Sequence, residues 1–163
     1  MPDDPLNHSM PDPQARRLPP VVEIAGYAGV APFVLCLIGE VMLPGYEQRD
    51  LAQRIAVAYG AAVLTFVGAV HFGFALAGGF VLTPLRAAGA SFPAAVAAAA
   101  VVLGGQHGLA LLVVGLGVFW LYEHRRLAQD LPAEYVSLRR NLSLAACVLL
   151  ALTLMLSDTA GLS

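Results

Sequence analysis

The chain has 163 residues, 58% of them hydrophobic and 12% charged, with a formal net charge of −2. Soluble domains carry about 25% charged residues, so this composition excludes an ordinary soluble enzyme and leaves room for one membrane domain only. All nine basic residues are arginine, and they form no patch of nucleic-acid-binding type.

Residues 1–20 hold six prolines and several charges without an apolar stretch, which predicts a disordered cytoplasmic tail. The first apolar run, Val21–Leu43, is long enough to span a bilayer, and Pro32 should kink it. Pro44-Gly45 ends it. A polar connector, Tyr46 to Arg54, overlaps the start of a second span at about Leu51 to Leu76, which Gly78-Gly79 closes. The stretch Phe80 to Ala90 reads as interfacial. Ser91-Phe92-Pro93 reads as a helix start, with Ser91 capping and Pro93 in the first turn. The third span, Ser91–Leu103, is then short for a hydrocarbon core of about 30 Å. It either thins the bilayer, extends into Gly104-Gly105, or is re-entrant. The fourth span runs from about His107 to Tyr122. Pro132 to Arg140 predicts a short amphipathic helix, and Asn141 to Leu156 the last span.

These elements define an all-α polytopic membrane bundle of about five transmembrane helices. With the N-terminus inside, Arg16, Arg17, Arg86, Arg125, Arg126, Arg139 and Arg140 fall on the cytoplasmic side, and only Arg49 and Arg54 fall outside. This bias predicts five true spans, a cytoplasmic N-terminus and a periplasmic C-terminus. Trp120 and Tyr122 then anchor at the inner interface. Cys36 and Cys147 lie inside apolar runs and read as packing residues.

Ionisable groups within spans are costly and therefore informative. His71 lies about 11 Å to the cytoplasmic side of the midplane by helix rise. It shares a face with Ala61, Leu64, Gly68 and Ala75 that suits close helix contact. It reads either as a proton-relay or ligand-binding group, or as a hydrogen-bonded contact between helices. Glu40 lies about 11 Å to the outer side, and its partner by depth is His107, with Gln106 beside it. Two-histidine haem ligation needs rings facing each other at one level. His71 and His107 sit on opposite halves, so only His71 with His124 leaves that arrangement open. The cluster Glu123, His124, Arg125, Arg126, Asp130, Glu134, Arg139 and Arg140 reads as topology-setting charge with local ion pairs. Its sharper reading is a docking surface that includes Tyr135, Leu138 and Arg139. No Walker, zincin or nucleophile-elbow motif occurs, and no metal or cofactor is implied.

The run Tyr59–Leu76 places Tyr59-Gly60 before Gly68, His71, Phe72 and Gly73, and Pro132, Tyr135, Leu138 and Arg139 precede the last span. This pattern resembles the domain-of-unknown-function family 3429, which includes mitochondrial transmembrane protein 69, over about Ile24 to Leu156. Phe72 replaces the family's usual tryptophan, and Glu134 its usual aromatic. The resemblance implies a compact inner-membrane protein without an established activity. Some family members carry arginine at the His71 position, which implies a hydrogen-bond donor there rather than a strict imidazole relay. The functional expectation is a non-enzymatic accessory, assembly or scaffold component, of an energy-transducing complex or another membrane partner, or a homo-oligomer. The alternative is a small-solute or proton-coupled carrier using His71 and Glu40.

Overall fold

The structure, a computed structural model, describes residues 20–78, 81, 83–126 and 133–160. The expected N-terminal tail and the last residues lie outside this set. Six helices follow in order: α1 (Pro20–Ala28), α2 (Ala31–Met42), α3 (Tyr46–Leu76), α4 (Pro84–Leu103), α5 (Gly105–Arg126) and α6 (Ala133–Ala160). They give five segments long and apolar enough to cross a membrane, with α1 and α2 forming the first together. The protein is an all-α, multi-pass membrane helix bundle.

The first span is broken rather than kinked. Pro32 lies in the first turn of α2 and has no N–H to continue the ladder from α1. The amide of Phe33 bonds the Val30 carbonyl instead. The Gly29 carbonyl is taken by the Tyr59 hydroxyl of α3 at 2.8 Å. A half-buried backbone acceptor is thereby satisfied from outside its own helix, and the Phe33 ring meets Tyr59 edge-on at 5.0 Å.

The polar connector Tyr46 to Arg54 is helical and forms the first turns of α3. An i,i+4 pair between Arg54 and Asp50 at 2.7 Å lies along it. Arg49 Nε donates to the Leu43 carbonyl at 2.7 Å, closing the end of α2.

The third span begins at Pro84, not Ser91. Thr83 caps it, accepting from the Arg86 amide at 3.3 Å, and proline is favoured in a first turn. Alanine-rich sequence then carries the helix through Pro93, which lies inside it. At 20 residues α4 is about 30 Å long, so neither a thinned bilayer nor a re-entrant loop is needed. Gly104 and Gly105, with φ of 59° and 49°, reverse the chain into α5 almost at once, a conformation that favours glycine. The expected amphipathic helix is not separate: its described residues form the opening turns of α6, continuous with the last span.

α3 occupies the centre and packs on α2, α4, α5 and α6, while α1 leans on α6. The core is a seam of Leu64, Leu109, Leu112 and Leu150, all fully buried, with Ala56, Ala61, Ala97 and Ala100 between them. Phe66, Leu76 and Val102 are among the large apolar side chains turned outward, as hydrocarbon solvent allows. The small residues set the helix spacing. A Cβ on Gly68 would sit 2.5 Å from the Ala90 carbonyl oxygen, and one on Gly108 would sit 2.5 Å from that of Ala100. α3 and α5 therefore each approach the α4 backbone directly.

Candidate functional site: two buried polar nodes

The side chain of His71 lies at the meeting point of α3, α5 and α6, 4% exposed. Its Nδ1 is 3.2 Å from the Val67 carbonyl one turn earlier. Its Nε2 is 3.3 Å from Glu123 Oε1 on α5. Glu123 Oε2 accepts from Arg139 Nε of α6 at 2.8 Å, and an Arg139 Nη donates to the Val67 carbonyl at 3.1 Å. Phe119 meets the imidazole edge-on at 5.3 Å. Arginine and carboxylate compensate each other where neither charge alone is tolerated.

One contact in this node is incomplete. His71 Nε2 and Glu123 Oε1 stand at ion-pair distance without hydrogen-bond alignment, and both atoms are buried. Which ring nitrogen carries the proton decides the contact. A proton on Nδ1 is offered to Val67, and one on Nε2 faces the carboxylate.

The second node lies at the other end of the bundle. Glu40, 6% exposed, accepts from the Ser157 hydroxyl of α6 at 3.0 Å. The expected partner, His107, is exposed at the start of α5. Its neighbour Gln106 borders the Glu40 cavity instead, together with Gln53 and Ser157. A one-residue step turns a helix by about 100°, so depth alone did not separate the two. Gln53 to His71 on α3 and Arg139 to Ser157 on α6 are each eighteen residues. The nodes are therefore about 27 Å apart along the bundle. The leucine seam lies between them, with Thr153 its one buried polar side chain among the described residues.

The remaining candidates separate by contact. Tyr59 secures the helix break. Gly60 and Gly68 are buried against neighbouring helices, whereas a Cβ on Gly73 would meet nothing within 4 Å. Arg139, a docking candidate, turns into the bundle to pair with Glu123. Leu138 borders the gap between α1 and α6, and the Tyr135 side chain lies outside the described residues. His124, adjacent to Glu123, is exposed and stacks on Trp120 at 5.6 Å, turned away from the side that His71 faces. Among the described residues no three His, Cys, Asp or Glu side chains group as metal ligands.

Beside the first node, a lateral cavity of about 400 Å³ opens between the broken first span, α3 and α6. Small residues such as Ala25, Gly26 and Ala62 line it beside larger ones such as Phe33, Phe66 and Leu142, and Arg139 reaches it.

The fold and these nodes define a small five-span membrane protein with an ion pair and a histidine buried between three helices. The chain belongs to the family described as protein of unknown function DUF3429, whose model matches residues 18–155. No curated protein and no solved structure matches it significantly.

Proposed function

We propose that this protein is a non-enzymatic accessory, assembly or scaffold component of a bacterial inner membrane, acting through a partner membrane protein whose helix seats in the lateral cavity. The cavity carries the reading. Its wall sets small residues, Ala25 and Gly26 on α1, Ala62 on α3 and Ala146 on α6, among larger apolar ones such as Phe33, Phe66 and Leu142; the small positions admit close approach of another transmembrane helix. The polar groups that would otherwise suggest chemistry are largely engaged with one another. The arginine distribution supports a cytoplasmic N-terminus and a periplasmic C-terminus. Energy-transducing complexes are the first partners to test, in keeping with the resemblance to a family that has a mitochondrial member.

The test is purification of the full chain in mild detergent from native expression, with mass spectrometry and native-size analysis, alongside Ala62→Trp. A stoichiometric partner lost in Ala62→Trp supports the reading. A lone chain, or a partner retained equally by the variant, overturns it.

A second reading, a small-solute or proton-coupled carrier using His71 and Glu40, is favoured by one observation. Both residues hold buried atoms without an aligned hydrogen-bond partner, on opposite sides of an apolar layer. Liposome flux that depends on both residues would favour it over the accessory role.

A further inference from the structure

We infer that the cavity at the Glu40 end is a binding site for a small monovalent cation. Glu40 is more than nine-tenths buried, and its Oε2 has no hydrogen-bond partner. Its other oxygen is within reach of the Ser157 hydroxyl at 3.0 Å, but that hydroxyl also bonds the Thr153 carbonyl at 2.7 Å. A hydroxyl has one proton. When the proton goes to the shorter bond, Ser157 presents a lone pair to Glu40, and neither carboxylate oxygen has a donor.

Neither nearby arginine donates to the free Glu40 oxygen. Arg49 Nε donates to the Leu43 carbonyl at 2.7 Å, and Arg54 pairs with Asp50 at 2.7 Å. The cavity beside Glu40, about 240 Å³, is bordered by Asp50 and Arg49 as well as by the amides of Gln53 and Gln106, so its lining sets two carboxylates against one guanidinium. Each amide can turn an oxygen toward a cation. Hard oxygen donors with a single net negative charge suit one positive charge. A divalent ion asks for more carboxylates, and the described residues offer no group of three ionisable ligands. The inference rests on Glu40 and is independent of the lateral cavity and its partner.

The test uses the full chain in mild detergent. Sodium, potassium or methylammonium chloride is titrated against choline chloride at constant ionic strength, and the melting temperature is followed. A saturable rise with at least one of the three, absent in Glu40→Gln, is the expected result. A response to sodium or potassium identifies an alkali ion, and a response to methylammonium alone identifies a protonated amine. No rise with any of them, or the same rise in Glu40→Gln, overturns the inference. Should Glu40→Gln fail to fold, carbodiimide labelling of Glu40 in the unaltered chain decides. Labelling slowed tenfold or more by the effective cation, but not by choline, supports the site, and labelling indifferent to every cation overturns it.

Discussion

Arg139 and Glu123 are sixteen residues apart in sequence and 2.8 Å apart across the seam between α5 and α6. Both are almost withdrawn from the surface, at 12% and 9% side-chain exposure. Removing one member of such a pair strands the other charge and costs about 3–5 kcal/mol, whereas replacing both with apolar groups is often neutral. Arg139→Leu and Glu123→Leu should therefore each lower the melting temperature in detergent sharply. The double variant should recover most of the loss. A double variant as unstable as the sum of the two singles would remove the pair from the account.

His71 extends that pair onto α3. A donor at this position can reach Glu123 Oε1, and leucine cannot. His71→Arg should retain more folded protein than His71→Leu, with a difference of about 1–3 kcal/mol, the cost of leaving a buried acceptor unsatisfied. Size-exclusion profiles before and after heating would measure it. Equal loss in the two variants would mean that imidazole shape, not donation, is what the site needs.

Two glycines five residues apart should respond oppositely. A Cβ at Gly68 meets the α4 backbone at 2.5 Å, while one at Gly73 meets nothing within 4 Å. Gly68→Ala should destabilise by about 1–3 kcal/mol through overpacking. Gly73→Ala should be neutral or gain up to about 1 kcal/mol from helix propensity. Thermal melts of the two variants side by side would check this, and a silent Gly68→Ala would mean that the α3–α4 crossing is wider than drawn.

The five spans were legible because apolar runs of membrane length are hard to mistake. The start of α4 was not, since Ser91 before Pro93 imitates a helix start and the bundle tolerates a proline that would break an isolated helix. The inner-face charge cluster does hold a local ion pair, Glu123 with Arg139, but its place inside the bundle was not read, although the spacing was informative. Leu109, Leu112, Leu116 and Phe119 are all buried on one face of α5, and the next position of that series is Glu123. On α6, Ala146, Leu150 and Thr153 repeat similarly between Arg139 and Ser157. Choosing that face from sequence is difficult in a membrane, because lipid-facing and core-facing residues are both apolar and the amphipathic contrast fades. Contacts such as Ser157 with Glu40 depend on helix rotation, which composition does not carry.

Five crossings would put the two ends of the chain on opposite sides of the membrane. A reporter fused after Ser163 should read periplasm and one fused before Met1 cytoplasm, in keeping with the arginine bias. The same compartment for both would contradict five crossings, and the reverse assignment would overturn the orientation.

The most direct test of the central claim is photo-crosslinking in native membranes. A photoreactive residue is placed at Ala62 inside the lateral cavity, or at Val148 on the outward face of α6 as a control. The account predicts a discrete protein adduct from position 62 and none from position 148. Lipid adducts alone at position 62, or the same protein captured from both positions, would contradict a partner helix seated in the cavity.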